Sequence, residues 1–234
     1  MSEPRIYEPP TIYDLSNIYA TAGGGGGGGV PVEYWQLEYF EISRDIGGAN
    51  FVINLPAFNN KDKNIQLIFE INKYIENSER RIFYIGKNNN SSPGVMLSYN
   101  LRNLSQQEIY SRNNFNDYTT PRLYVNLDSY KVKFDIQNAT FNLETGAGTV
   151  INSTTNYSES SGLNRLFLFT DRTTPGENYQ PYGKFYSLII QDVCNMIPVK
   201  RKGDNVIGVF DLVSNTFYTP NYGGSNIIAG PIVL

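Results

Sequence analysis

Histidine is absent from this sequence of 234 residues, and cysteine occurs once. Without an imidazole group the chain cannot form a Ser-His-Asp or Cys-His nucleophile system, a zinc site with histidine ligands, or a histidine acid–base pair. The single cysteine, Cys194, cannot form an internal disulfide, and because it lies in an apolar run we predict a buried, inert thiol. Most classes of hydrolase are therefore excluded, and we expect the protein not to be an enzyme.

The sequence also lacks a surplus of basic charge and a long apolar run. It has 19 Lys+Arg residues against 22 Asp+Glu residues and a formal net charge of -3, so the attraction that drives non-specific nucleic-acid binding is missing. No apolar run is long enough to span a bilayer, and the amino terminus has neither the charged nor the apolar region of a secretion signal. We expect no nucleic-acid partner, no membrane partner and no signal peptide.

Aromatic residues are abundant instead. The 18 tyrosines and 13 phenylalanines, together with many Asn and Thr residues, favour pleated sheets and polar turns over helices. From residue 30 onward, short runs that alternate apolar and polar residues are separated by turn-forming segments rich in Gly, Pro, Asn and Asp. Only residues 104–110 (LSQQEIY) are predicted to form a helical turn. We predict strands at residues 34–42, 51–55, 65–71, 81–85, 95–99, 123–127, 130–137, 140–143, 166–170, 185–193, 206–211 and 216–219.

Many short strands without interleaved long helices predict an all-β fold, an antiparallel two-sheet sandwich or jelly roll. The length and the 40% content of hydrophobic residues suit one such domain at residues 30–234. The run Gly23 to Gly29 precedes it. No Gly-Lys-Ser/Thr follows these glycines, so we interpret them as a flexible tether with a root-mean-square span of roughly 15 Å rather than as a phosphate loop.

Residues 1–22 contain the dipeptide Ile-Tyr three times at a spacing of six residues, which places Tyr7, Tyr13 and Tyr19 in register. Six is a whole number of periods for a strand and for a polyproline II helix, so in either extended form the three tyrosines point the same way. Three prolines in the segment disfavour a helix. We interpret residues 1–22 as an extended anchor that docks on another protein by β-augmentation or groove binding. A disordered tail with a coincidental repeat is the alternative.

Residues 188–224 carry the most specific pattern of the chain, LIIQDVCNMIPVKRKGDNVIGVFDLVSNTFYTPNYGG. The pattern predicts a strand that ends in a basic turn, a reversal at Gly203-Asp204-Asn205, a returning strand, a second turn and an aromatic pair. It resembles the last hairpins of the concanavalin A-like, laminin-G-like jelly rolls of bacteriophage structural proteins and gut bacterial surface proteins. Residues 32–34 resemble the opening strand of that family. The resemblance depends on Pro198, Asp204, Gly208, Asp211, Phe217 and Tyr218.

We expect these six residues to be structural, although a ligand-binding role for the stretch stays open. Gly208 would let two layers approach closely, and Asp211 would cap the following turn through its side chain. Phe217 and Tyr218 would place one ring in the core and one outside it.

The resemblance, the anchor and the tether together suggest a non-enzymatic structural protein of a bacteriophage virion, such as a head fibre or a tail appendage. Such a protein would be made in the host cytoplasm, attach to a capsid or tail protein through residues 1–22, and form a homo-oligomer, with a trimer as our expectation. The alternative is a carbohydrate-binding adhesion module that recognises a host-surface glycan by stacking sugars on loop aromatics. The candidates for stacking are Tyr99, Tyr118, Tyr157, Tyr179 and Tyr182.

Two further site types have little support in the sequence. A glycoside hydrolase needs two carboxylates across the scissile bond, but the Glu-x-Asp-x-x-Glu pattern of jelly-roll glucanases is missing, and we interpret Asp135 and Glu144 as solvated. Asp171 and Glu177 could offer oxygen ligands to calcium, yet no loop has the dense acidic spacing of a dedicated site. We therefore predict no catalytic residue, no metal and no cofactor.

Overall fold

The computed structural model describes residues 29–42, 50–73, 78–87, 95–103, 106–112, 123–124, 131–137, 140–145, 150–154, 161–169, 182–221 and 227–233. Side chains are described within residues 29–42, 50–60, 62–70, 82–87, 161–169, 182–221 and 227–233. The predicted anchor and most of the predicted tether lie outside these residues.

The described chain is almost entirely β-structure, with one short 3-10 turn at Asn60–Asp62. In the part that the structure describes, no helix is long and apolar enough to cross a membrane. The strands of the first half are β1 (Tyr34–Gln36), β2 (Phe40–Ile42), β3 (Phe51–Phe58), β4 (Ile65–Lys73), β5 (Ser78–Gly86), β6 (Val95–Asn103), β7 (Gln106–Arg112) and β8 (Leu123–Tyr124). Those of the second half are β9 (Lys131–Gln137), β10 (Thr140–Thr145), β11 (Val150–Thr154), β12 (Leu163–Leu168), β13 (Tyr182–Ile190), β14 (Cys194–Arg201), β15 (Ile207–Asp211), β16 (Thr216–Tyr218) and β17 (Ile227–Ala229).

These strands form two antiparallel sheets. The large sheet has the order β11-β10-β9-β4-β13-β14-β15-β16. In addition, β1 pairs with β14, β2 pairs with β13, and β17 pairs with β2. The small sheet has the order β3-β12-β5-β6-β7-β8. Alternate residues of both sheets turn inward and share one apolar core, as expected of packed sheets. The predicted all-β, two-sheet jelly roll is confirmed.

Phenylalanine rings dominate the centre of the core. The ring centroid of Phe169 lies 5.8 to 6.1 Å from those of Phe40, Phe51, Phe69 and Phe185, and all five side chains are buried. Phe169 has a φ of 63°, a left-handed conformation that costs a residue with a side chain about 1–2 kcal/mol. Burial of the ring among four others offsets this cost, so the backbone of Phe169 is held by its packing.

The large sheet divides at the hairpin formed by β13 and β14. The two strands pair only near their turn, where Leu188 faces Met196, and then diverge. Strand β2 fills the gap beside β13, and strand β1 fills it beside β14. The chain from residue 34 to residue 42 is therefore bent into a V that bridges the two arms of the hairpin.

Each arm carries a residue suited to this fork. On β13 the register shifts between Phe185 and Ser187, so Tyr186 is an extra residue that bends the strand. On β14 the carbonyl of Pro198 accepts a hydrogen bond from the N–H of Leu37 at 3.0 Å. Because the two polar groups of a strand residue point to the same side, the missing N–H of Pro198 is directed into the fork and not towards β15. Proline therefore costs the ladder between β14 and β15 no bond at this point.

The carboxy-terminal segment lies inside the V. Strand β17 pairs with β2, Ile232 pairs with Leu37, and the N–H of Val233 donates to the carbonyl of Gln36 at 3.0 Å. The chain turns at Gly230, where an added Cβ would lie 2.6 Å from the carbonyl oxygen of Tyr39. The carboxy-terminal segment thus follows the inner side of the bend that residues 34–42 form.

Several sequence predictions need correction. The helical turn predicted at residues 104–110 is wrong, because Gln106–Arg112 forms β7 and pairs with β6 and β8 on its two sides. Cross-strand pairing here outweighs a weak local preference. The single strand predicted at residues 34–42 is two strands, and the strand predicted at residues 185–193 begins earlier and ends at Ile190. Strands β11 and β17 were not predicted.

Candidate functional site

The sequence-predicted residues fall into two groups. Tyr7, Tyr13 and Tyr19 lie outside the described residues. The six residues of the resemblance come together in β14, β15, β16 and the turns between them, at one edge of the large sheet.

Asp211 ends β15 and binds both the next turn and the neighbouring strand. Its Oδ1 accepts hydrogen bonds from the N–H of Asn195 at 2.8 Å and of Val213 at 3.1 Å. Its Oδ2 accepts from the N–H of Ser214 at 3.3 Å and from the Ser214 hydroxyl at 2.6 Å. The side chain is buried. Asp211 therefore caps its turn, as expected, and also joins that turn to β14, which the sequence did not indicate.

Asp204 has a similar role in the preceding turn, but at the surface. Its carboxylate accepts two hydrogen bonds from the Arg201 guanidinium, at 3.0 and 2.6 Å, and one from the N–H of Val206 at 3.2 Å. Hydrogen bonding to Arg201 and to the backbone holds the pKa of Asp204 below its usual value. Asn205 completes the turn with a φ of 61°, a conformation that asparagine tolerates well. The reversal lies where the sequence predicted it.

Gly208 is needed for close packing, but not between layers. An added Cβ would lie 2.7 Å from a ring carbon of Phe217 and would also meet the carbonyl oxygen of Tyr218. The expected approach of two layers is thus replaced by an approach of the neighbouring strand and its aromatic ring. Phe217 and Tyr218 contact different clusters, since Tyr218 packs against the main core and Phe217 packs on the opposite face.

That opposite face, which we call the outer face, carries a small apolar cluster of its own. Ile197, Val199 and Phe210 are fully buried there beneath Tyr34, Phe217 and neighbouring residues. The Tyr34 ring lies 5.2 Å from that of Phe210 and 5.1 Å from that of Phe217. Val30 also packs against this cluster, so the chain that precedes residue 30 joins the body at a fixed point on its surface.

A second feature of the outer face is a polar network around Glu70. The Lys184 ammonium donates to Oε1 of Glu70 at 2.8 Å, and the Tyr186 hydroxyl donates to Oε2 at 2.8 Å. Burial and the neighbouring Glu70 raise the pKa of Tyr186 far above its ordinary value. Burial alone would lower the pKa of Lys184, but the hydrogen bond and charge of Glu70 outweigh it and the pKa is raised. Both carboxylate oxygens are engaged, so the network links β4 to β13 rather than offering a free acid or base.

Trp35 and two lysines form a third surface, which we call the tryptophan surface. Trp35 faces Lys200 in the ladder between β1 and β14. The ammonium groups of Lys200 and Lys202 lie 5.5 and 5.7 Å from the indole centroid. Lys202 is held in place by its N–H, which donates to the Glu33 carbonyl at 2.9 Å, and by its ammonium, which donates to the Val32 carbonyl. The arrangement combines an aromatic face with two positive charges.

The tryptophan surface was not predicted from the sequence, although two signals for it were present. Trp35 is the only tryptophan of the chain, and it lies in the strand predicted at residues 34–42. Lys200 and Lys202 flank Arg201 in the predicted basic turn. Only the pairing of β1 with β14 brings these signals together.

The remaining candidates are scattered. Tyr182 begins β13 and is half-buried, and Tyr99 lies within β6. Asp135 faces Gln66 and Asn142 on adjacent strands, and Glu144 faces Lys133 and Val150, so neither is paired with a second carboxylate in register. Within the described parts of the chain no cluster of three acidic, Cys or His side chains could hold a metal ion. Tyr118, Tyr157, Tyr179, Asp171 and Glu177 lie outside the described residues.

Cys194 behaves as the sequence predicts. The thiol is free and buried, and burial together with the nearby charge of Asp211 raises its pKa. A thiol with a raised pKa is a poor nucleophile, so the prediction of an inert core residue is confirmed.

No protein-family model matches the chain, and no curated protein matches it. Among solved structures, the chain is similar to domains LG4-5 of the mouse laminin α1 chain, with 12% identity and a TM-score of 0.40 over 69% of this chain and 42% of that one. It is similar to tailspike protein 2 of an Escherichia coli O157:H7 bacteriophage, with 11% identity and a TM-score of 0.45 over 70% of this chain and 26% of that one. It is also similar to the CBM40 domain of Ruminococcus gnavus IT-sialidase bound to α2,3 sialyllactose, with 15% identity and a TM-score of 0.44 over 66% and 90%.

The described body has the architecture that the sequence resemblance implied. Two antiparallel sheets enclose one core, and the last hairpins β14 to β16 close the edge of the large sheet. The antiparallel two-sheet jelly roll is therefore confirmed as the fold.

Proposed function

We propose that this chain is a structural protein of a bacteriophage virion, a head fibre or similar surface appendage without catalytic activity. Residues 1–22 attach it to a capsid or tail protein, and the jelly roll is displayed outward as a lectin-like domain. The observation that carries the proposal is the packing of Val30 in the outer-face cluster with Tyr34. Because the chain enters the body at this fixed point, the preceding glycine run can separate a docked anchor from the displayed domain.

The anchor is tested by replacing Tyr7, Tyr13 and Tyr19 together with alanine in the full chain. The substitution removes the aromatic stripe and leaves the jelly roll intact, so circular dichroism and the thermal midpoint should not change. We expect the variant to be depleted from purified particles when its amount is measured by mass spectrometry against the major capsid protein.

Phenylalanine at the same three positions is the matched control, since it keeps the rings and removes only the hydroxyl groups. This control should enter particles normally. Normal incorporation of the alanine variant would refute the anchor role of residues 1–22, and absence of the unaltered chain from particles would refute the virion assignment. Sedimentation of the unaltered chain, whose mass is 26.4 kDa, tests the proposed trimer in the same preparations.

Carbohydrate binding is the second candidate function, and the tryptophan surface favours it. An aromatic face offers an apolar platform with a polar rim, and adjacent ammonium groups supply donors to an oxygen-rich ligand. A multivalent form of the chain on a glycan array tests this function. Absence of binding would remove the carbohydrate-binding candidate and leave the structural proposal standing.

A further inference from the structure

We infer that Trp35, Lys200 and Lys202 form a binding site for an acidic sugar, a pyranose ring that carries a carboxylate. The inference rests on the carbohydrate-binding function considered above and names both its ligand class and its residues. The sugar ring would lie on the indole, and its carboxylate would accept hydrogen bonds from the two ammonium groups.

The two lysines hold their charges close to the indole. Cation–π contacts extend to about 6 Å from the ring centroid, and the two ammonium groups, at 5.5 and 5.7 Å, lie near that limit. Both ammonium groups thus lie over the indole ring, at distances where the cation–π contact is weak. Trp35 and Lys200 are half-buried and Lys202 is exposed, so β1 and β14 hold the ring and the two charges together at the surface of the body.

Neither lysine has an ion-pair partner in the part of the body whose side chains the structure describes. No carboxylate lies within ion-pair distance of Lys200 or Lys202 among the residues whose side chains the structure describes. Other cations of the body do have such partners, since Arg201 binds Asp204 at 2.6 Å, Lys184 binds Glu70 at 2.8 Å and Lys63 binds Asp192 at 3.1 Å. In a chain with a net charge of -3, two ammonium groups beside one aromatic ring, without a carboxylate partner among the described side chains, favour an anionic ligand.

A carboxylate would give the two ammonium groups stronger contacts than the indole does. A hydrogen bond between an ammonium group and a carboxylate is charge-assisted and stronger than an exposed cation–π contact, so Lys200 gains by turning from the indole towards the anion. Lys202 would exchange its bond to the neutral Val32 carbonyl for a charge-assisted one. The apolar face of a sugar ring matches the area of one indole. An acidic peptide would need further contacts along an extended groove, whereas this surface consists of one ring and two charges.

The test uses the intrinsic fluorescence of the full chain, because Trp35 is its only tryptophan and reports on the site directly. The chain is titrated with 3′-sialyllactose, with trigalacturonate and with neutral lactose at constant ionic strength. We expect a saturable change with the acidic sugars and a weaker one or none with lactose. Comparison of the two acidic sugars distinguishes a sialic acid from a uronic acid, and a response to either supports the site.

Two variants make the test specific. Lys202→Gln should weaken binding of the acidic sugar about tenfold, as expected for the loss of one charge-assisted hydrogen bond, and Lys200→Gln should have a similar effect. Lys63→Gln is the matched control, because it removes the same charge from another part of the surface and should leave the affinity unchanged.

The inference fails if lactose binds as well as the acidic sugars, if Lys63→Gln weakens binding as much as Lys202→Gln, or if an oligoglutamate peptide competes equally with the sugar. Calorimetry on the double variant Lys200→Gln/Lys202→Gln separates this failure from that of the broader function. Undiminished sugar binding by the double variant would refute this site and support carbohydrate binding elsewhere on the body. If neither the unaltered chain nor the double variant binds sugar, both this site and the carbohydrate-binding function are refuted.

Discussion

Replacement of Asp211 by alanine should destabilise the fold strongly, because one buried carboxylate serves two elements. The substitution removes the acceptor for the Asn195 N–H at 2.8 Å and for three donors of the following turn. A buried donor without an acceptor costs about 1–3 kcal/mol. The N–H groups of Val213 and Ser214 belong to exposed residues and can bind water instead, so the loss at Asn195 should dominate.

We expect the total loss in the free energy of unfolding to be about 3 kcal/mol, to which the buried Asn195 N–H and the uncapped turn both contribute. For a chain of this length, that corresponds to a decrease in the thermal midpoint of about 6–12 °C. Asp211→Asn keeps the Oδ1 acceptor for Asn195 and Val213 and loses the one for Ser214. It should therefore cost about 1–2 kcal/mol.

The measurement is urea denaturation of the full chain, followed by circular dichroism and by Trp35 fluorescence. Asp204→Ala is the matched control, since it removes the same side chain from the neighbouring turn, where the carboxylate is exposed and binds Arg201. Its midpoint should stay close to that of the unaltered chain. Equal midpoints for Asp211→Ala and Asp204→Ala would refute the link between the turn and β14.

Three further predictions concern packing and titration. Gly208→Ala should cost about 1–3 kcal/mol because the new methyl group meets the Phe217 ring at 2.7 Å, and combining it with Phe217→Ala in thermal denaturation should give a less than additive loss. Phe169→Ala should cost about 3–5 kcal/mol, and Phe169→Gly should be no worse, since glycine accepts the φ of 63°; a clearly less stable glycine variant would contradict the backbone assignment. Burial and Glu70 raise the pKa of Tyr186 above its ordinary 10.0. Above pH 10 the tyrosine therefore ionises first in the unfolded state, and the stability of the fold should decrease. Urea midpoints measured across the pH range should show a smaller alkaline decrease for Tyr186→Phe.

Local patterns were sufficient to predict the fold class and the last hairpins. Alternation in segments such as residues 131–137 identifies strands without knowledge of their partners. Turn chemistry identifies the reversals, because Asp204 and Asp211 bond to backbone groups two or three residues away and Asn205 accepts a positive φ. These are short-range interactions that the sequence records directly.

Features that depend on pairing between distant strands could not be predicted. Residues 34–42 read as one strand, since nothing in their own alternation indicates that β13 and β14 diverge. The bond from Asn195 to Asp211 and the contact of Trp35 with Lys200 likewise follow from strand register. The weak helical preference of residues 104–110 failed for the same reason, as β7 is stabilised by two neighbouring strands.

The entry of the chain through β1 also decides how the body would respond to mechanical load. Any force transmitted along the residues before Val30 reaches the jelly roll at Val30, which packs in the outer-face cluster, and then at β1. Strand β1 is joined to β14 by three register pairs, Tyr34 to Gln36 with Val199 to Arg201. The force therefore has to detach β1 from β14 before it can pull the two sheets apart. The short strand at the point of attachment would detach under load while the phenylalanine core remains intact. This detachment would be visible as a change in the fluorescence of Trp35.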